Sequence, residues 1–198
     1  MKTEEIIRSE IQTLKSDQIY RSLHVVESSP GAWITLDGRK VLNLCSNNYL
    51  GLANHSFLKE SAIKAINELG CGATASRLIT GNTYLHMEVE KKLAEFIQAD
   101  DTILFNTGYM ANLGVISALV GPGDLVLSDK LNHASIVDGI ILSRAEYKRY
   151  RHGDMDQLEK QLHDSYKYKR RLIVSDSLFS MDGDFADLPA LVSLKEKY

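Results

Sequence analysis

Only two cysteines, Cys45 and Cys71, occur in the 198 residues, each beside small or apolar neighbours. No disulfide framework is expected, and a reducing compartment is. Long apolar runs are lacking as well: none reaches the roughly 18 residues that a membrane span needs. The N-terminal MKTEEIIRSEIQTLKSD is acidic and amphipathic, without the apolar centre of a signal peptide, so a soluble cytoplasmic protein is expected. Excess charge of either sign is missing too, since 23 basic and 26 acidic side chains leave a formal −3. That balance argues against nucleic acid or an anionic membrane as the main partner. The one short basic block, KYKRR at 167–171, reads as a solvated helix end ahead of a strand, with a binding patch as the alternative. The six histidines show no HxxxH or Cys-pair spacing, so no metal is expected. Repeats and low-complexity tracts are absent.

What is present suffices for one domain with a core, or for part of something larger. Ile7, Ile11 and Leu14 fall at helical spacing, which predicts a helix over the first ~17 residues. Pro30-Gly31 and Asp37-Gly38 then punctuate two short strands, the second pair being a hairpin signal. Leu58, Ala62, Ile66 and Leu69 make one face of a helix closed by Gly70. After the glycine-rich GCGATASRLITGNT, Val89, Leu93, Phe96 and Ile97 share the face of another. From residue 102 the chain alternates between strands TILF (102–105), LVLS (125–128), EYKRY (146–150) and RLIVSD (171–176) and intervening helices. Asp154 is expected as an N-cap with Gln157 three residues on, and Pro189 near the start of the last helix. Such alternation implies an α/β fold with a largely parallel sheet covered on both faces.

In open parallel sheets ligands collect beyond the carboxyl ends of the strands, so the loops after TILF, LVLS and RLIVSD are where chemistry is sought. Gly108 would let the backbone approach a ligand, and the helix starting near Tyr109 offers unpaired N–H groups that suit a phosphate; the alternative is a plain turn glycine. His133 lies where a strand hands over to a helix. It is either a satisfied structural histidine or an aromatic face and proton carrier for a flat cofactor. Asp129 stands where a ribose-binding acid would sit, but NTGYMANLG lacks GxGxxG spacing, and Gly70 and Gly72 follow a helix, so a dinucleotide site is not expected.

SNNYLGL (46–52), GATASRLITGN (72–82), FNTGYMANLG (105–114), SDKLNHASIVDG (128–139) and SLFSMDGD (177–184) follow one another as in the α-oxoamine synthases. The resemblance runs from about residue 20 to the end. It implies the aspartate-aminotransferase fold (fold type I), with an N-terminal helix and β-hairpin arm over 1–45 and the first part of the cofactor domain over 46–198. Pyridoxal 5'-phosphate is the cofactor it implies, and a decarboxylative condensation of an amino acid with an acyl thioester is the reaction. SRLITGN most resembles the branch that takes alanine and a pimeloyl thioester; a sister branch takes glycine and an acetyl thioester. By the same resemblance His133 stacks on the pyridine ring and is the candidate catalytic residue, Gly108 and Tyr109 place the cofactor, and Ser180 hydrogen-bonds it. Asn47 lies near the substrate carboxylate and Arg21 helps to hold the acyl donor. A homodimer is implied by analogy alone.

Three family features have no match here: the carboxylate on the pyridine nitrogen, a histidine near the phenolic oxygen, and the lysine that holds the cofactor covalently. Strands that separate the first strand from the fourth in the family's sheet are also missing. The expectation is a piece of a longer chain, or one that a second chain completes, inactive by itself and with a sheet edge left open. A non-catalytic chain that only binds a partner is the alternative of another class. Ser177 stands where relatives often have glycine and Asp176 where some have glutamate, which bears on substrate choice more than on cofactor binding.

Overall fold

The computed structural model describes residues 3–198, grouped into two compact units, Met1–Thr83 and Tyr84–Tyr198. In the first, α1 (Thr3–Ser16) covers the predicted stripe, although none of its described side chains is buried. β1 (Trp33–Leu36) and β2 (Arg39–Leu42) pair antiparallel around Asp37-Gly38. Both turn residues have positive φ, 48° and 74°, the backbone that a two-residue hairpin of the favoured twist requires and that Asp-Gly tolerates. Asp37 also accepts from the Val25 N–H at 2.9 Å and faces His24 Nδ1 at 2.6 Å, which lowers its pKa and draws Val26 into a bridge with Leu36.

A single 3₁₀ turn, Leu52–Asn54, leads into α2 (Ser56–Leu69), capped by Gly70 at φ 83°. Its stripe of Leu58, Ile66 and Leu69 is exposed, and Ile34 is the only buried apolar side chain among the described residues of this unit. The SRLITGN stretch contains a feature the sequence did not announce, a π-helical turn at Arg77–Gly81. A Cβ on Gly81 would lie 1.9 Å from the Ala75 carbonyl oxygen, so only glycine fits there.

The second unit opens with α3 (Tyr84–Ile97), which buries Glu90 and Ala94 and leaves Val89, Leu93, Phe96 and Ile97 exposed. The expected strand at 102–105 is not formed. A strand exists through ladder bonds to a neighbour, and these residues have no partner strand among those described. They are tied instead to α3: the Thr102 hydroxyl donates to the Glu90 carbonyl at 2.7 Å and the Leu104 N–H to the Glu90 carboxylate at 2.7 Å.

Beyond them α4 (Gly108–Leu119), β3 (Leu125–Asp129), α5 (Ala134–Ser143), β4 (Glu146–Tyr150), α6 (Met155–His163) and β5 (Arg171–Val174) alternate as the pattern predicts. The sheet is parallel with order β4-β3-β5, Val126 lying opposite Tyr147 and Leu172. SLFSMDGD, expected as a loop, holds a small antiparallel hairpin of β6 (Leu178–Phe179) and β7 (Asp184–Phe185) before α7 (Leu188–Lys197). Asp154 caps α6 by accepting from the Gln157 N–H, and Pro189 lies in the first turn of α7.

Every residue of β3 is buried, and its alternation splits the core in two. Leu125 and Leu127 pack with Tyr150, Leu158, Leu162 and Leu194 toward α6 and α7. Val126 packs with Ile116, Val120, Ile136 and Ile140 toward α4 and α5. Each fully buried leucine contributes roughly 1.5–3 kcal/mol relative to exposure, so β3 anchors the unit. Its lower end is fixed by buried Asp124, which accepts from the Gly121 N–H at 2.9 Å and the Arg170 N–H at 3.1 Å and pairs with the Arg170 guanidinium. The Gly121 bond, helped by Arg170, holds this carboxyl below the ordinary carboxylate range against the effect of burial. No helix among the described residues is long and apolar enough to cross a membrane.

Candidate active site

Because β3 and β5 are neighbours, the loops that leave their carboxyl ends share one rim. Asn132, buried in the loop after β3, staples them: its amide N–H₂ donates to Ser128 Oγ at 2.9 Å and to the Val174 carbonyl at 2.8 Å, and its Oδ1 accepts from the Asp176 N–H at 2.8 Å. Asp176 answers by accepting the His133 N–H at 2.7 Å. A carboxylate beside the first turn of α5 also suits the positive end of the helix dipole.

His133 is the N-cap of α5. Its Nδ1 accepts from the Ser135 N–H at 3.2 Å and lies 2.7 Å from Ser135 Oγ, which itself accepts from the Asn112 side chain at 2.8 Å. With a backbone donor aimed at Nδ1, the neutral ring must carry its proton on Nε2; the tautomer follows from the network rather than from an observed hydrogen. At α4, Thr107 caps by accepting from the Met110 N–H at 3.1 Å. Gly108 and Tyr109 then occupy the first turn, where an α-helix provides no partner for its amides. Tyr109 donates its hydroxyl to Asp138, and that bond, with burial and the carboxylate charge, raises the phenol pKa.

These pieces converge on one cavity of about 470 Å³, whose walls include Gly108, Tyr109, His133, Asp176 and Ser180. The size falls in the range of small-molecule sites. A Cβ on Gly108 would meet nothing within 4 Å, so this glycine faces open space and packing does not explain it. The donor amides, the aromatic wall and the Ser180 hydroxyl together fit a phosphorylated aromatic ligand. No lysine lines the cavity among the described residues. Asn47 and Arg21 lie in the first unit, both exposed; the Asn47 carbonyl accepts from the Tyr49 N–H at 2.9 Å.

Asp129 is no ribose ligand. It is buried, and its carboxylate accepts from the Leu131 N–H at 2.9 Å and the Gly153 N–H at 3.1 Å, with His152 alongside. Asn132, Ser135 and Asn112 escaped the sequence reading. The available signal for Asn132 was a side chain with both donor and acceptor, placed directly between a buried strand and a helix N-cap, where it can bridge adjacent loops.

The fold and this rim make an α/β scaffold with a cavity beyond the carboxyl ends of its strands, and residues 39–198 match aminotransferase class I and II. The chain belongs to that family. It is 54% identical to a putative 8-amino-7-oxononanoate synthase from Bacillus cereus over 97% of this chain and 49% of the relative. It is 52% identical to the 8-amino-7-oxononanoate synthase of Geobacter sulfurreducens, again over 97% and 49%. Among solved structures it superposes on a serine palmitoyltransferase variant from S. paucimobilis with bound PLP–myriocin aldimine, at TM-score 0.89 and 34% identity, over 96% of this chain and 48% of that one. An 8-amino-7-oxononanoate synthase from Francisella tularensis aligns at TM-score 0.63 and 31% identity, over 76% and 41%. The fold is therefore that of fold type I pyridoxal-phosphate enzymes, and the chain spans about half the length of the curated relatives it matches.

Proposed function

We propose that this chain supplies the cofactor-holding part of a pyridoxal-phosphate-dependent acyltransferase of α-oxoamine synthase type, and that the reaction is the 8-amino-7-oxononanoate synthase condensation of alanine with a pimeloyl thioester in biotin biosynthesis. The observation that carries it is the shared cavity of Gly108, Tyr109, His133 and Ser180, in a chain whose relatives bear that name. When bound, the cofactor supplies an electron-poor ring that stabilises negative charge at the amino acid's α carbon.

The residues do the rest. The Gly108 and Tyr109 amides would hold the phosphate, the Ser180 hydroxyl would bond the cofactor, and the His133 ring would stack on it. Ser135 and Asn112 fix that ring with its proton on Nε2, available to the acyl-transfer step. Asn47 binds the substrate carboxylate and Arg21 the acyl donor. The arm over 1–45, the cofactor domain beginning at 46, a homodimer and a cytoplasmic location belong to the same reading.

The test expresses the protein from its complete reading frame with pyridoxal phosphate. A yellow protein whose absorbance changes on adding alanine, and a mass-identified amino ketone from alanine plus pimeloyl thioester, are expected. Product only from glycine plus acetyl-CoA reassigns the substrates. No cofactor absorbance overturns the reading, and unchanged kinetics in His133→Ala overturn the stacking role.

A further inference from the structure

The loop after β4 carries a histidine that the cavity does not use. His152 lies between two carboxylates: Nδ1 is 3.1 and 3.2 Å from the oxygens of Asp129 at the end of β3, and Nε2 is 2.7 Å from Asp184 Oδ2 at the start of β7. Phe179, at the end of β6, meets the ring edge-on with centroids 4.4 Å apart. An acceptor at each nitrogen calls for a donor at each, which only the imidazolium supplies. The Asp184 bond chiefly raises the His152 pKa; burial opposes it and Asp129 adds to it.

The hairpin that His152 grips has two residue pairs, too few to be stable unaided. Besides that short ladder, the Gly183 N–H donates to the Phe179 carbonyl at 2.7 Å and the Ala186 N–H to the Ser177 carbonyl at 3.1 Å. Yet Phe179, Ser180, Met181 and Asp182 all line the cavity. Asp129, by contrast, is buried in the central strand and fixed by two backbone amides. The imidazolium thus connects the fully buried central strand of the sheet to a two-pair hairpin on the wall of the site.

We infer that His152 is a positioning residue: by bridging Asp129 and Asp184 it holds the β6–β7 hairpin so that Ser180 stays on the cavity wall. The cofactor half of this inference rests on the function proposed above; the clamp itself does not. The charged and titratable groups around the ring are Asp129 from β3, Asp184 from β7, and Tyr150 and Arg151 from its own segment, Arg151 being engaged by Asp154 at 2.8 Å. A raised folded pKa means that the clamp is fully present below the free imidazole value of about 6.5 and is lost as pH rises through the folded value.

The test compares the full chain with His152→Gln, Asp184→Asn and His152→Arg by histidine NMR titration, amide hydrogen exchange and absorbance titration with pyridoxal phosphate. His152 is expected to titrate above free imidazole in wild type and to fall toward it in Asp184→Asn. The Gly183 and Ala186 amides should exchange about tenfold faster in His152→Gln and Asp184→Asn with β3 protection intact, and the cofactor dissociation constant should rise about tenfold. His152→Arg, a cation able to span both carboxylates, should recover protection. Unchanged Gly183 and Ala186 exchange in Asp184→Asn overturns the clamp, even if His152→Gln fails to fold. Faster exchange with unchanged cofactor affinity overturns the positioning role. Absent cofactor binding in wild type overturns the proposed function instead, and the exchange data still decide the clamp.

Discussion

A single methyl group added at Gly139 tests how closely α4 and α5 are packed and what that packing does for the site. A Cβ there would stand 2.8 Å from the Asn112 carbonyl oxygen and 3.1 Å from Ile116 Cδ1, where ordinary contact begins at 3.4 Å. Ile116 can turn its terminal methyl away. The Asn112 carbonyl belongs to the α4 backbone and cannot, so the helices must part by about 0.6 Å, the difference between 3.4 and 2.8 Å. Overpacking of this kind costs about 1–3 kcal/mol, while alanine's better helix propensity offsets about 1 kcal/mol. Gly139→Ala should therefore lose about 0–2 kcal/mol in urea unfolding followed by circular dichroism. Parting the helices also lengthens the Asn112–Ser135 bond of 2.8 Å that steadies His133, so cofactor affinity should fall with stability. Gly114→Ala serves as the control, because its Cβ would meet only the Phe105 ring, at 3.0 and 3.3 Å, and a ring can swing aside. A Gly139→Ala protein about 1 kcal/mol more stable than wild type, the value that helix propensity alone predicts, would refute the reasoning.

Three further outcomes are expected. Gly108→Ala adds a methyl to open space, so thermal unfolding should be unchanged or slightly improved while absorbance titration shows weaker cofactor binding; equal affinity would mean that the glycine is only a turn residue. Asn132→Ala strands the Asp176 N–H and the Val174 carbonyl in a part-buried site and should cost about 1–3 kcal/mol in denaturant unfolding, a loss within error being the contrary result. Asp124 has a depressed folded pKa, so its contribution is present above the ordinary aspartate value and disappears as pH falls through the folded one. Asp124→Asn should therefore flatten the acid limb of a stability-versus-pH curve, and an unaltered limb would contradict the assignment.

Much of this was legible because local chemistry and global placement agreed. β3 reads as a buried strand since Leu125, Val126 and Leu127 form a short apolar run after the Pro-Gly turn at 122–123. Asp37-Gly38 names its own turn through positive φ, and His133 sits where a strand must become a helix. Residues 102–105 show the limit: their composition favours a strand, but the ladder depends on a neighbour that local sequence does not contain. The stripes of α2 and α3 are periodic as read, yet periodicity says which residues share a face and not what covers it. The two-residue strands β6 and β7 are too short to show an alternation, and the π turn at Arg77–Gly81 has no periodicity of its own by which to be read. Of the site, glycine, imidazole and hydroxyl were visible in the loops. The amide staple and the His152 clamp were not, because each joins residues more than twenty positions apart.

The Asn132 staple has a consequence for anyone wishing to transplant substrate preference between relatives. The segment following β5 holds its shape partly by leaning on an amide borrowed from the segment following β3, and His133 in turn leans on Asp176. Grafting either stretch alone would import a surface cut to fit a companion left behind. The two are a single exchangeable module, and chimeras should be cut so that both travel together.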